Sequence, residues 1–545
     1  MTHKNFQAPH SRQARHFRSA LLRRSRGWWL PIFSILSLLT TANSLTGHES
    51  LLNTARDSIT VNELKSHIDV LSDDTFEGRE AGSRGGRAAA NYLMKYIKQD
   101  LEPAGLDGRY FQAFGAGYRN LLGKIEGNDP ELRNEFILIG AHYDHVGYGT
   151  PKDSYGPYGR IHNGADDNAS GVSTLLEVIN AFSAAQLSCK RTLIFAFWDG
   201  EEKGLLGSEH WAANPTVPLD QIKVAINIDM VGHLRNRRVE VFGYRSMPGF
   251  RSLISAANTG SELDLDFFWE VKQNSDHYSF FKRKIPILMY HTGLHDFYHR
   301  PSDDAHLINT DGVREVSKLV FNTVHQLGNE DQLGNFRTAS EFEGASERAR
   351  FERSLPPPRP RLGITWDAQS VKNGLQVTQV RIGSAANRAG IQVGDRLLEL
   401  NGIPIDSTET LQQLAVRAPI ASSLIVQREN LEAPLPIAVE LDGKPTRVGI
   451  TWRDDSAEIG TVNLVRIIPH SPADLAGLRV RDRIHEINHL KFENPEAFHR
   501  LISEASFPIT LLIERDGQFQ SISLKNAPIE PVSDDTDLPP SISVN

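Results

Sequence analysis

A single cysteine, Cys189, stands in a chain of 545 residues. No intrachain disulfide can form, so any case for an oxidising compartment must rest on something other than cysteine. The chain also lacks an apolar run of the ~20 residues that a membrane-spanning helix needs. Positive charge is not in surplus: 59 lysines and arginines face 67 aspartates and glutamates, a formal net charge of -8, which argues against a general nucleic-acid binder. With 39% hydrophobic and 23% charged residues the composition is globular. At ~150 residues per domain this length predicts about three or four folded units.

The positive charge that is present gathers at the amino terminus, in Arg12, Arg15, Arg18, Arg23, Arg24 and Arg26. It runs into the apolar stretch Trp28 to Leu39 and then into the small polar residues Thr40 to Ser44. Basic, then apolar, then small is the order of a secretory signal. Residues 1–44 are therefore expected to be a signal peptide or, in the competing reading, an uncleaved anchor. Ser25-Arg26-Gly27 after the arginine pair is a poor match to a twin-arginine signal. The expectation is an exported protein, periplasmic or secreted, whose only membrane contact is this leader.

From 57 to 328 helical patterns alternate with short apolar runs, as in a folded α/β domain. Residues 329–360 are polar and end in Pro356-Pro357-Pro358, which predicts a semi-rigid linker holding the following domains at a distance. Beyond it the chain repeats itself. Arg361-Leu362-Gly363-Ile364-Thr365-Trp366 returns as Arg447-Val448-Gly449-Ile450-Thr451-Trp452, and Asp395-Arg396-Leu397 as Asp482-Arg483-Ile484. Two copies of one small domain are expected over 361–441 and 446–527. The acidic, proline-containing residues 528–545 have too little apolar content to fold.

Four apolar runs in the first domain read as buried parallel strands: Phe136 to Ile139, Leu193 to Trp198, Val224 to Ile228, and Ile285 to Leu288. Three lead directly into polar residues, namely His142-Tyr143-Asp144, Asp199-Gly200-Glu201-Glu202, and Asp229. The fourth precedes a loop containing His295, Tyr298, His299 and Asp303. Between the first two runs lies Asn163-Gly164-Ala165-Asp166-Asp167-Asn168-Ala169-Ser170-Gly171, a glycine-bearing loop opening into a helix. In open α/β sheets ligands collect at the carboxyl ends of strands, so these distant residues converge on one crevice. Alone, a His-x-Asp or a Glu-Glu pair is ordinary surface or core chemistry. Together, His142, Asp166, Glu202, Asp229 and His299 offer two imidazoles and three carboxylates, a donor set for two zinc ions sharing one carboxylate.

These segments resemble the zinc aminopeptidases of the aminopeptidase Y, bacterial leucine aminopeptidase and glutamate carboxypeptidase II type. The likeness spans roughly Leu64 to Leu327 and includes Glu77-Gly78-Arg79-Glu80-Ala81-Gly82, Gly140 to Asp144, Asn163 to Gly171, Asn227 to Met230, and Ser275-Asp276-His277. It implies a zinc exopeptidase fold: a mixed, largely parallel central sheet with helices on both faces. It further implies that His142 and Asp229 bind one zinc, that Glu202 and His299 bind the other, and that Asp166 bridges them. A cis peptide between Asp166 and Asp167 is part of the same implication. Glu201 would be the general base, since one of two adjacent glutamates can coordinate while the other takes a proton. Asp144 would orient His142, as an acceptor beside a metal-bound imidazole does. Tyr298 reads as an oxyanion-stabilising phenol. Ser275-Asp276-His277 reads as structural or pocket-lining, because a nucleophile with a separately oriented base is missing there.

Each carboxy-terminal repeat resembles a PDZ domain, with Leu362 to Thr365 and Val448 to Thr451 matching the carboxylate-binding loop. The resemblance implies two small β-rich domains that take a protein C-terminus or an added strand. Arg481 stands where the first copy has Gly394, which puts the tight turn of the second copy in question. The whole chain thus reads as a di-zinc aminopeptidase acting on peptides, with its repeats recruiting substrate or partner. Two rival readings are an inactive PDZ-bearing adaptor and a carboxypeptidase or other amide hydrolase with the same metal site. A single-zinc cyclase fits less well, because all five ligand positions and the free glutamate are present.

Overall fold

The structure is a computed structural model that describes residues 49–526 apart from 116 and 370–373. The expected export segment at 1–44 and the expected loose tail at 528–545 lie outside the described residues. Among the described residues no helix is long and apolar enough to cross a membrane.

The first domain is built on nine strands: β1 (Glu102–Pro103), β2 (Phe111–Phe114), β3 (Tyr118–Ile125), β4 (Phe136–His142), β5 (Thr192–Trp198), β6 (Ile222–Ile228), β7 (Arg238–Phe242), β8 (Asp264–Phe268) and β9 (Ile287–His291). They are ordered β1-β3-β5-β4-β6-β9-β7-β8, with β2 paired to β3. The four predicted apolar runs are β5, β4, β6 and β9, side by side and mutually parallel. The fourth starts two residues later than expected because Pro286, which has no N–H to give a ladder, precedes it. Both flanks are antiparallel joins, β3 to β5 and β9 to β7. The sheet is therefore mixed around a parallel centre.

Helices cover both faces, as continuous apolar strands require. One layer holds α1 (Val61–Leu71), α2 (Arg84–Asp100), α3 (Gly171–Ala184) and, after the next three helices, α7 (Thr310–Asn329). The first of these is capped by the Thr60 hydroxyl, which accepts from Glu63 N at 3.2 Å. The other face carries α4 (Leu206–Ala213) and α6 (His277–Phe281), where Trp198, Trp211 and Phe280 form an aromatic cluster. Helix α5 (Phe250–Ala257) packs beside α7.

The two repeats have the same topology. The strands of the first are β10 (Ile364–Asp367), β11 (Leu375–Val380), β12 (Arg396–Leu400), β13 (Ile403–Pro404), β14 (Ala421–Gln427) and β15 (Leu435–Glu440), and those of the second are β16 (Ile450–Asp454), β17 (Val462–Ile467), β18 (Arg483–Ile487), β19 (Leu490–Lys491), β20 (Ile509–Arg515) and β21 (Gln518–Leu524). In the first the order is β10-β11-β12-β14-β15 with β13 paired to β12, and in the second it is β16-β17-β18-β20-β21 with β19 paired to β18. Gly363 and Gly449 open the matching loops at φ +75° and +97°, and a Cβ at either would drive into Ser384 or Ser471. The replacement of Gly394 does not alter the turn. Arg481 keeps a left-handed φ of +79°, and its N–H reaches Leu464 O at 2.8 Å as the Gly394 N–H reaches Val377 O at 2.8 Å. A Cβ at Gly394 would meet nothing within 4 Å, so the side chain costs backbone strain but no clash.

The expected spacer at 329–360 is overturned. Residues 337–355 fold back between the first domain and the second repeat, where Ala345–Glu352 forms a helix. Phe351 packs on Trp269, and Glu343 receives both Arg245 and Arg337. Polar composition suggested an exposed linker, but these charges are neutralised across a domain boundary, which composition along the chain does not show.

The second repeat docks directly on the first domain. The buried carboxylate of Asp455 takes Arg245 Nη1 at 3.0 Å and Arg483 Nη2 at 2.9 Å. Arg251 forms a two-pronged pair with buried Glu514 at 2.7 and 3.0 Å. Leu265 N–H donates to Asp516 O at 2.8 Å, and Asn258 Nδ2 donates to Gly517 O at 3.0 Å. At Gly517 a Cβ would sit 2.4 Å from the Leu265 side chain, so only glycine allows this approach.

Candidate metal centre

The carboxyl ends of the four parallel strands bring the candidate residues together. His142 closes β4, Glu201 and Glu202 follow β5, Asp229 follows β6, and His299 lies in the loop after β9. His142 Nε2 is 3.3 Å from Asp229 Oδ1. His299 Nε2 is 3.2 Å from Glu202 Oε2. The two imidazole and carboxylate pairs expected from the sequence are thus both formed.

Asp166 is not between them. Its neighbour Asp167 is, with Oδ1 at 3.3 Å from His142 Nε2 and Oδ2 at 3.0 Å from His299 Nε2. The carboxylate of Asp166 turns the other way, accepting from Gly232 N at 2.6 Å and Ser170 Oγ at 2.9 Å and facing His295 Nε2 at 3.0 Å. Those partners hold it on the far side of the turn from His142 and His299. The non-proline cis peptide is shifted by the same single residue, lying at Asp167–Asn168 rather than Asp166–Asp167.

The loop carrying Asp167 is fixed from several sides. Asp303 accepts the N–H groups of Asp166 at 3.0 Å and of Asp167 at 3.1 Å. Asn168 Nδ2 donates to Ile228 O at 2.9 Å, which ties the loop to the end of β6. Arg79, only 1% exposed, spends its guanidinium on the carbonyls of Tyr143, Leu71, Asn163 and Gly164 at 2.6 to 3.0 Å. Those bonds join the strand-end loop of β4 to the Asp167 loop. Burial lowers the guanidinium pKa to about 10, against the raising effect of Asp167, Asp303, Asp144 and Glu202.

Asp144 does two things. Its main-chain carbonyl lies 3.2 Å from His142 Nδ1, closer than its carboxylate oxygen at 3.9 Å. The carboxylate receives the main-chain N–H of Glu201 at 3.0 Å and of Glu202 at 3.4 Å, so it sets the glutamate pair more directly than it sets the imidazole. Ser275 Oγ donates to Asp229 Oδ2 at 2.6 Å and itself accepts from Asn227 Nδ2 at 2.7 Å, which leaves it orienting a carboxylate.

His145 was missed by the sequence reading. Its Nδ1 lies 2.7 Å from Glu202 Oε1, so it grips the carboxylate that faces His299 from the opposite oxygen. The available signal was its position three residues after His142 in the same strand-end loop. For Asp167 the two adjacent aspartates were indistinguishable by spacing, and only the turn geometry separates them.

Electrostatically the centre holds more buried carboxylate than its imidazoles neutralise. Burial pushes the Glu201 carboxyl well up, helped by Glu202, Asp276 and Asp229 and opposed by His142. Burial likewise raises Asp144. Burial works against a charged His299, yet the Glu202 charge and hydrogen bonds to Asp167 and Glu202 raise it to about 11. Glu202 is held at about 2, with burial and Asp167 opposing and His299 and His145 prevailing. A cluster with this surplus of buried carboxylate favours bound cations. Carboxylate oxygens and imidazole nitrogens directed at one another around Asp167 are the donor types that zinc takes, and two groups there, His142 with Asp167 and Asp229 and His145 with Asp167 and Glu202, each have ligand-type atoms within 4.8 Å of one another. A further group, Asp166 with His233 and His295, also has ligand-type atoms within 4.8 Å of one another. There Asp166 Oδ2 faces His295 Nε2 at 3.0 Å, while its Oδ1 accepts from Gly232 N and Ser170 Oγ.

Residues 120–324 match the family model for peptidase family M28, and residues 376–424 and 465–515 match that for a PDZ domain. Among curated proteins, leupeptin-inactivating enzyme 1 of Streptomyces exfoliatus is 29% identical over 228 residues, which cover 41% of this chain and 47% of that protein. A probable leucine aminopeptidase of Trichophyton verrucosum is 28% identical over 204 residues, covering 36% and 51%. The chain spans about half the length of these relatives. Among solved structures, the Legionella pneumophila LapA aminopeptidase is 21% identical over 52% of this chain and 75% of that one, with a TM-score of 0.44. The chain therefore carries a peptidase family M28 domain, followed by two PDZ domains.

Proposed function

We propose that the protein is a di-zinc aminopeptidase that hydrolyses the first peptide bond of peptide substrates. The observation that carries this is the convergence of His142, Asp229, Glu202 and His299 on the two oxygens of Asp167, with Glu201 beside them and outside the set. His142 and Asp229 would hold one zinc, Glu202 and His299 the other, and Asp167 would bridge. Zinc held there would supply a water of lowered pKa and polarisation of the scissile carbonyl. Glu201 would take the proton of the attacking water and return it to the leaving amine, as a carboxylate beside the ions and outside their ligand set can. Asp144 keeps Glu201 in place through the Glu201 N–H. Tyr298, whose phenol is kept protonated first by burial and then by Asp167 and Glu202, donates to the developing oxyanion.

The first repeat supports a recruiting role. A cavity of about 360 Å³ is lined by its carboxylate-loop segment, Leu362 to Ile364, by the helix bearing Leu411 and Ala415, by Pro357 to Pro360 of the preceding segment, and by Ile468 and Pro469 of the second repeat. We assign it a peptide C-terminus or strand as occupant. The basic, apolar, small order of residues 12–44 supports action outside the cytoplasm.

Purified full-length protein should carry zinc and hydrolyse amino-acyl p-nitroanilides in a chelator-sensitive way. Glu201→Gln should keep the metal and lose roughly 10²–10⁴-fold in kcat. Protein without metal and without chelator-sensitive turnover would sink the proposal, and zinc loss in Glu201→Gln would make that residue a ligand.

A further inference from the structure

The loop from Tyr148 to Arg160 carries three exposed tyrosines, Tyr148, Tyr155 and Tyr158, an unusual apolar display on a domain whose other large aromatics are mostly buried. One of them is bound to the metal centre's own scaffold. Tyr155 N–H donates to His299 O at 3.1 Å, and the preceding Ser154 Oγ donates to the same carbonyl at 3.1 Å. From the other side Arg300 Nη1 donates to the carbonyls of Tyr155 at 3.1 Å and Gly156 at 3.3 Å. The Tyr155 ring then stands 6.5 Å from the His299 imidazole and 6.1 Å from the Tyr298 ring, centroid to centroid, while remaining 64% exposed. Its backbone is thus fixed beside His299 and its ring is open to solvent.

We propose that Tyr155 is a specificity-determining residue, the aromatic wall of the subsite for an apolar or aromatic substrate side chain next to the scissile bond. The inference rests on the metal centre proposed above. A substrate whose reacting carbonyl lies at that centre has its flanking Cα atoms within one or two residue lengths of His299, ~3.8 Å each. A leucyl or phenylalanyl side chain from there reaches the Tyr155 face. Burying that side chain against a ring with two side-chain torsions on an already fixed backbone costs little ordering of the protein, which is how an aromatic side chain contributes to recognition. The Arg300 guanidinium 5.7 Å from the ring centroid adds positive charge to this wall, which disfavours a cationic side chain in the same place.

The test compares wild type, Tyr155→Phe and Tyr155→Ala on two panels. One is amino-acyl p-nitroanilides varied at the first residue (Leu, Phe, Ala, Lys). The other is leucyl dipeptides varied at the second. Zinc content and unfolding temperature serve as structural controls. The main-chain tethers to His299 survive both substitutions, so turnover on the smallest substrate should persist. Tyr155→Ala should raise KM for the bulky apolar members of one panel by roughly tenfold, with kcat and the alanyl substrate little changed, and Tyr155→Phe should restore the wild-type preference. Whichever panel responds identifies the side of the scissile bond. Unchanged selectivity on both panels, in an active and zinc-loaded Tyr155→Ala protein, would overturn the wall. Wild type that turns over no member of either panel would instead bring down the aminopeptidase reading, and this inference with it.

Discussion

At the scale of single residues, two adjacent aspartates point in opposite directions and only one of them faces the metal centre. Asp167 faces His142 and His299, whereas Asp166 is spoken for by Gly232, Ser170 and His295. Asp167→Asn should therefore strip most of the zinc, because both ions lose an anionic ligand. Asp166→Asn keeps the acceptor for Gly232 N–H and should retain both ions. Zinc per chain, measured by mass spectrometry after dialysis, separates the two, and the reverse pattern would restore Asp166 as the bridge. Most of this centre is legible in the sequence, because His142, Glu201, Glu202, Asp229 and His299 follow apolar runs that can only be buried strands. What periodicity cannot reveal is rotation within an irregular turn: a slip of one residue through Ala165–Ser170 exchanges which aspartate looks inward. His145 and Arg79 stay hidden for a related reason, since their partners are a glutamate 57 residues later and a set of main-chain carbonyls.

A second residue-scale prediction concerns His485 in the second repeat. Burial lowers its pKa to about 4, with Arg483, Arg251 and Lys491 acting in the same direction and Glu514 opposing. A histidine depressed in the folded state contributes stability that is present above its unfolded pKa of ~6.5 and is lost as pH falls toward the folded value. Between pH 7 and pH 5 the loss is about 2 kcal/mol. In urea unfolding followed at both pH values, His485→Leu should lose about that much less than wild type does. An identical pH dependence in the two proteins would show that His485 is not buried as a neutral ring.

Among elements, the decisive join is the one between the end of β7 with α5 and the second repeat. Arg245 and Arg483 share Asp455, and removing that carboxylate leaves arginine charge inside a covered surface. Breaking a buried pair from one side typically costs about 3–5 kcal/mol, so Asp455→Ala should split thermal unfolding into separate transitions for the first domain and the second repeat. A single unshifted calorimetric transition would mean the domains are not coupled there. Burial alone would raise the Asp455 pKa, but Arg483 and Arg245 hold it below the ordinary carboxylate range. Its stabilising contribution is accordingly present above about pH 4, the unfolded value, and drains away in stronger acid. The strands and the repeat could be read from the sequence, because apolar runs and self-similarity are local signals. The docking could not, because Arg245, Asp455 and Arg483 are complementary only in space, and the polar residues that join them look like a solvated linker.

For the molecule as a whole, the M28 domain and the second PDZ domain form one packed body, with the intervening segment between them and the groove of the first PDZ domain presented beside it. Chemistry sits at the strand ends of the parallel sheet, and the repeats add surfaces for holding a peptide. All of this depends on the centre being a metal centre bridged by Asp167. The direct measurement is an anomalous difference map at the zinc absorption edge from crystals of the full chain grown without chelator. Two peaks flanking the Asp167 carboxylate are predicted, one beside His142 and Asp229 and the other beside Glu202 and His299. No peak at these residues, or one peak with Asp167 turned away from it, would contradict the account.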